Sequence, residues 1–507
     1  MCAAQQVILV RSKLACLSSR TWVVSALCVR GGSNSGVALH LAFTKFLCCW
    51  KILSMRNLSA IVVLVLSMSI ALAITCEAQQ SPPAKLDPKI YDQYLGTYQL
   101  SPNEFIVIGR TERRLYFYEP QTGRARGLDL ISENSFNAGQ TLLVFSPVES
   151  QITFIKNEKG EVTSLVLKQT GVPERIAKKV TLYREEKVAF RSGDATLSGT
   201  LLIPSTKGPH PAVILLHGSG PQDRNGYLSV MRFAADNFAR HGVAALIYDK
   251  RGVGASTGNW ASASFDDMAK DSLAALKMLQ SRKDIKPKLI GIWGSSQAGW
   301  VMAKATSLSK EIAFIISVSA GGSGYTVTQQ NNYNTATEMR VAGFSQDEIN
   351  QAITVWNIFY DTVRAGEGGN GEKLDAAIRQ AQQNAKLKDW LPPLSSEIDW
   401  KKRDHWFLAL DIDFNPVPMW EKYDGPVLGI FGELDTSTPV RQVVPLFEKA
   451  LASRKNKDYT IKIFPKAHHI ILEAESGSDE ELPRLKRYVP GYFDTMTDWL
   501  RKRVNVR

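Results

Sequence analysis

The chain has 507 residues, 44% of them hydrophobic and 22% charged, a balance that excludes collagenous, low-complexity and multi-span membrane proteins. That length exceeds one ordinary domain and predicts two folded domains behind a leader. The formal charge of +12 is concentrated at the start: residues 1–78 hold seven of the 61 Lys and Arg and one of the 49 acids, leaving 54 basic against 48 acidic side chains, too small an excess for a nucleic-acid-binding protein.

In chain order, Met55-Arg56 form a short basic start, residues 58–73 are mostly apolar, and Cys76-Glu77-Ala78 precedes the polar stretch Gln79-Gln80-Ser81-Pro82. This is the pattern of a secretory signal peptide, with translation starting at Met55 and cleavage near Ala78, and it predicts a secreted or periplasmic protein. The alternative is a retained anchor through residues 58–73, which would be the chain's route to membrane contact. All six cysteines (Cys2, Cys16, Cys28, Cys48, Cys49 and Cys76) lie in this leader, residues 1–78. A mature chain beginning after Ala78 therefore has no thiol for a disulfide, a nucleophile or a metal.

Residues 79–87 are rich in Gln, Pro and Ser and read as a linker. Residues 88–183 carry short β runs at 105–108, 115–118, 142–145, 152–155 and 164–167, separated by turn residues such as Asn157-Glu158-Lys159-Gly160. They predict a small antiparallel β domain, lipocalin-like or a sandwich, with no catalytic cluster. From residue 184 to 507 the register changes to an α/β pattern. Apolar strands at 212–216, 243–248, 289–293, 314–318, 427–431 and 460–464 alternate with helical stretches, as a mostly parallel sheet buried on both faces requires. An excursion at about 323–422 contains helical patterns at 346–363 and 372–387 and is expected to form a helical cap at the carboxyl edge of the sheet.

Gly294-Ser295-Ser296-Gln297-Ala298-Gly299 follows one predicted strand and opens a helix. A nucleophile on so sharp a turn needs small residues two before and two after it, and Gly294 and Ala298 are those neighbours of Ser296. Standing alone, such a string is as readily a packing turn. Three companions give it weight. His217-Gly218-Ser219-Gly220 closes the strand at 212–216, so the backbone N–H groups of Ser219 and Gln297 can form an oxyanion hole. Gly432-Glu433-Leu434-Asp435 closes the strand at 427–431, and Asp435, further into the loop than Glu433, is the better carboxylate to orient an imidazole. His468 and His469 close the last strand and are the histidines that follow Asp435, as the chain order Ser, Asp, His requires; His469 matches the usual turn position. Neither a Gly-Lys-Ser/Thr phosphate loop nor a His-Glu-x-x-His zinc motif is present, and the chemistry calls for no metal and no cofactor.

These residues, with Tyr248-Asp249-Lys250-Arg251-Gly252-Val253-Gly254-Ala255-Ser256, resemble the α/β-hydrolases, in particular bacterial esterases similar to the serine aminopeptidase and dienelactone-hydrolase-like branches. The resemblance covers about residues 185–503. It implies Ser296 as nucleophile, His469 as proton shuttle and Asp435 as its orienter, with the 249–256 segment a structural turn without a catalytic role. The substrate would be a small-molecule ester, or a short peptide if the protein is instead a peptidase or amidase. A third possibility is a non-catalytic binding protein on the same scaffold. The β domain loosely resembles the lipocalin-like domains attached to secreted bacterial serine hydrolases. Oligomeric state is not legible.

Overall fold

The computed structural model describes residues 87–504, apart from 112–113, 145, 367–368 and 402–404. The leader, the cleavage point at Ala78, the alternative anchor, the cysteines and nearly all of the linker lie outside the described residues. Among those described, no helix is long and apolar enough to cross a membrane.

Eight antiparallel strands form the β domain: β1 (Gly96–Ser101), β2 (Glu104–Arg110), β3 (Leu115–Glu119), β4 (Arg124–Ser132), β5 (Ser135–Ala138), β6 (Ser150–Lys156), β7 (Val162–Gln169) and β8 (Val172–Val180). They close into a barrel, not a sandwich, because β8 returns to pair with β1 through Tyr98 and Lys179. Closure removes the free strand edges that a small sheet would otherwise expose. Aromatic rings fill the interior, with Tyr94 stacked on Phe154 at 4.4 Å and Phe136 edge-on to Phe154 at 5.7 Å.

The strand expected at 142–145 does not form; its last residue, Phe145, lies outside the described residues. Leu142, Leu143 and Val144 lie in a bend between β5 and β6. The Thr141 hydroxyl accepts from the Val144 N–H and donates to the Val144 carbonyl, so a local side-chain bond takes the place of ladder pairing.

The second sheet contains β9 (Tyr183–Ser192), β10 (Ala195–Pro204), β11 (His210–Leu216), β12 (Ala244–Tyr248), β13 (Ile285–Ser295), β14 (Ile315–Val318), β15 (Val427–Gly432) and β16 (Tyr459–Phe464). Its spatial order is β9-β10-β12-β11-β13-β14-β15-β16. The sheet is mixed. β9 and β10 are antiparallel, β10 is antiparallel to β12, and the pairings from β12 across to β16 are parallel. β11, β12, β14 and β15 are buried at every position, which is why they read as unbroken apolar runs.

One face of the sheet packs on the helices Phe265–Gln280, Ala298–Leu308 and Val440–Ser453 and on the insertion. The other packs on the helices Val230–Arg240 and Tyr492–Val504 and on the outside of the barrel. The insertion between β14 and β15 includes the helices Val327–Val341, Gln346–Ala365 and Gly371–Ala381. The first two begin with capping boxes, Thr326 with Gln329 and Ser345 with Glu348. The Val327–Val341 helix, rich in Gln and Asn, was not expected from apolar periodicity. Parallel strands place all their carboxyl ends on one edge, and the loops after β11, β13, β15 and β16 meet there.

Candidate active site

β13 ends at Ser295, and the chain turns into the next helix through Ser296, whose φ of 57° lies in the left-handed region that a non-glycine residue rarely occupies. Backbone bonds hold the turn. The Ser296 N–H donates to Val318 O (3.2 Å), and its carbonyl accepts from the N–H groups of Gly299 (3.0 Å) and Gly321 (2.9 Å). Gly294 is small for the anticipated reason: a Cβ there would stand 2.7 Å from that of Ala298. The tighter constraint is one residue further on, because a Cβ on Gly299 would overlap the Gly321 carbonyl oxygen.

Asp435, in the loop after β15, is 5% exposed. Its Oδ1 accepts the N–H groups of Ser437 (2.9 Å) and Thr438 (2.7 Å), and both of its oxygens lie 2.9 Å from Nδ1 of His469. The carboxylate thereby fixes the imidazole with Nδ1–H donating and Nε2 as acceptor. Nε2 is buried and bonds nothing among the described residues.

Burial disfavours the charged ring, yet the Asp435 carboxylate and its hydrogen bond, with Asp479 and Glu338 further off, outweigh it and raise His469 above its ordinary pKa. The sequence alternatives go elsewhere. Glu433 is exposed and its Oε2 accepts from the Lys466 N–H (3.1 Å), while His468 places Nε2 3.5 Å from Asp479 Oδ1.

Ser219 sits in the glycine turn after β11. A Cβ on Gly218 would lie 3.5 Å from that of Ser296, so this turn runs directly past the elbow. His217 is structural, its Nε2 2.6 Å from Tyr248 O; burial and then Lys250 depress its pKa to about 3, keeping it neutral.

The 249–256 segment is more engaged than its sequence suggested. Asp249 accepts from Arg224 at the far end of the glycine turn (2.6 Å), and Lys250 Nζ donates to Gly218 O (2.8 Å), Gly220 O (3.0 Å) and Gln297 Oε1 (3.1 Å). Gly220, Lys250 and Gln297 line a small pocket together with Trp260, Met268 and Leu410.

Two carboxylates near the histidine were not anticipated. Glu338, on the Val327–Val341 helix, has a buried Oε1 without a hydrogen-bond partner among the described residues, and burial raises its pKa. Asp479 is the second: burial pushes its pKa up, but His468 and His469 more than offset this and hold it below the ordinary range. No sequence signal marks either one, since they belong to a polar helix and an acidic loop. The same helix reaches the Asp435 loop through Gln330 Nε2 to Ser437 O (3.1 Å) and Asn334 Nδ2 to Ser437 Oγ (3.3 Å). Among the described residues, no group of three or more His, Cys, Asp or Glu side chains could hold a metal ion.

A protein-family model described as X-Pro dipeptidyl-peptidase (S15 family) matches residues 193–468, and a domain of unknown function, DUF3471, matches residues 80–182, the barrel. The chain is 29% identical over 162 residues to Esterase EstD of Thermotoga maritima, covering 29% of this chain and 39% of the relative. It is also 29% identical over 123 residues to Thiohydrolase aneE of Aspergillus aculeatus, covering 24% and 37%. The chain thus spans about two fifths of the length of these curated relatives. Among solved structures, the α/β hydrolase GrgF from Penicillium sp. sh18 is similar at 20% identity and a TM-score of 0.40, over 64% of this chain and 99% of that one.

Proposed function

The chain belongs to the X-Pro dipeptidyl-peptidase (S15) family within the α/β-hydrolase superfamily, and from that premise we propose that it is a serine hydrolase of carboxylic esters acting through an acyl-enzyme. The observation that carries the reading is the buried Asp435–His469 pair, with both carboxylate oxygens 2.9 Å from Nδ1, on the same sheet edge as a serine held at positive φ.

Ser296 Oγ attacks the ester carbonyl while His469 Nε2 takes its proton. The N–H groups of Ser219 and Gln297 receive the oxyanion, and the tetrahedral adduct collapses as His469 returns the proton to the leaving alcohol. Water then repeats the sequence on the acyl-enzyme. The Val327–Val341 helix and its neighbours act as a cap that excludes solvent from this edge.

The test is a fluorophosphonate probe applied to residues 79–507 and to Ser296→Ala, together with turnover of p-nitrophenyl esters. Labelling of Ser296 that the variant loses, with ester turnover lower by at least ~10⁴-fold, is the expected result. A folded wild type that neither labels nor turns over would overturn the proposal and favour a binding protein.

A peptidase or amidase is the second reading, and one observation favours it. Glu338, on the Val327–Val341 helix, has a buried Oε1 without a hydrogen-bond partner among the described residues, and its charge reaches His469, a suitable position for a substrate ammonium. Aminoacyl arylamides cleaved faster than matched esters, with that preference lost in Glu338→Gln, would establish it. We also propose secretion through the leader read at 55–78. N-terminal sequencing of the exported protein is expected to begin at Gln79, and retention of residues 58–73 would establish the anchor instead.

A further inference from the structure

We propose that Lys250 is a positioning residue for the oxyanion pocket, locking the peptide that carries one candidate donor to the residue that carries the other; this rests on the serine-hydrolase reading above. The Gly218 carbonyl and the Ser219 N–H belong to one planar peptide unit, so fixing the oxygen fixes the direction of the hydrogen. Gly218 and Gly220 flank Ser219, and Gly220 has a φ of 80°, which makes this a segment with little intrinsic preference against a peptide flip. Lys250 removes that freedom by donating to the carbonyls on both sides of Ser219, Gly218 O at 2.8 Å and Gly220 O at 3.0 Å. The same Nζ donates to Gln297 Oε1 at 3.1 Å, and the Gln297 N–H is the second candidate donor.

A single ammonium thus ties the turn after β11 to the turn after β13. Lys250 is 5% exposed, so these charge-assisted bonds form away from bulk water. A cation on the Gly218 oxygen also polarises its peptide, strengthening the Ser219 N–H toward negative charge. Asp249, the preceding residue, holds the other end of the same turn through Arg224. The 249–256 segment therefore acts as a clamp on the pocket.

The experiment compares wild type, Lys250→Met and Gln297→Leu, which deletes one acceptor while keeping the Gln297 backbone N–H. It measures p-nitrophenyl butyrate kinetics, inhibition by a matched alkyl trifluoromethyl ketone, and melting temperature. The ketone probes the pocket because serine addition to it generates an oxyanion.

For Lys250→Met, kcat is expected to fall by about 10- to 100-fold with KM nearly unchanged, below the full loss from deleting a donor outright. The ketone inhibition constant should rise in parallel with the loss in kcat/KM, and Gln297→Leu should show the same pattern more weakly, about 3- to 10-fold. A lower melting temperature with kcat and ketone affinity intact would mean that Lys250 only stabilises the fold and would overturn the proposal, as would a change confined to KM. Should Lys250→Met not fold, Gln297→Leu decides, because unchanged kcat and ketone affinity there sever the link. A wild type without turnover or labelling overturns the hydrolase reading and this inference with it. An active wild type with indifferent variants overturns this inference alone.

Discussion

At the scale of single residues, the Asp435–His469 pair determines how activity should respond to pH. His469 titrates above its ordinary value because the Asp435 carboxylate and its hydrogen bond, aided by Asp479 and Glu338, outweigh the burial that opposes its charge. As pH falls the ring charges early and Nε2 ceases to accept a proton, so kcat/KM should drop on the acid side with a midpoint above 6.5. Asp479→Asn removes one of the charges that favour the imidazolium. Its acid limb should move to lower pH, raising activity relative to wild type in mildly acidic buffer; a limb that stays in place would show that Asp479 does not reach the ring electrostatically.

Stability follows the opposite sign. A group with a raised folded pKa contributes its full stabilisation below the unfolded value and loses it as pH rises through the folded value, so the His469 contribution fades where activity rises. Asp435→Asn keeps the shape but not the charge, and kcat should fall by roughly 10³- to 10⁴-fold with little change in KM. A loss below tenfold in steady-state kinetics would refute the orienting role.

At the scale of elements, the strand-to-helix elbow shows why parts of the site were legible in the sequence and others were not. Gly294 and Ala298 announce the turn because they are local to Ser296, and strand ends followed by Gly432 to Asp435 and by His469 announce the rest. Gly299 depends on a carbonyl 22 positions away, at Gly321, which no local pattern encodes. Lys250 was equally hidden, since a lysine in a turn ordinarily reads as solvated and its partners lie 30 to 47 positions away.

In the barrel the legible strands were the apolar ones. β4 and β8, which interleave Arg, Asp and Lys with their apolar residues, escaped an apolar pattern, and the run at Leu142 misled because a Thr141 turn captured it. Gly299→Ala isolates the steric point: with the Gly321 carbonyl in the way it should cost at least about 3 kcal/mol in denaturant unfolding. Gly343→Ala, at positive φ with open space around it, should cost only about 1 kcal/mol. Equal costs would mean that the elbow relaxes freely.

At the scale of the molecule, the barrel shares a hydrophobic core with the hydrolase sheet rather than hanging beside it. Val107, Tyr116, Tyr118 and Ala125 bury against the helices Val230–Arg240 and Tyr492–Val504, with Tyr118 stacked on Phe233 at 4.3 Å and edge-on to Phe493 at 6.1 Å. The barrel turn at Gly123 also accepts the Tyr488 N–H (3.0 Å), and the Val489 N–H donates to Ile471 O (3.0 Å), two residues after His469. The loop that delivers the histidine is therefore braced against the barrel, which links that domain to the geometry of the site.

Tyr118 tests the seam. Its hydroxyl is buried without a hydrogen-bond partner among the described residues, so Tyr118→Phe should be neutral or stabilising by up to about 1 kcal/mol, whereas Tyr118→Ala should cost about 3–5 kcal/mol. If the brace matters for chemistry, Tyr118→Ala should also lower kcat in protein that is still folded at the assay temperature, and Tyr118→Phe should leave it unchanged. A destabilised but fully active Tyr118→Ala would confine the barrel to stability and detach it from the positioning of His469.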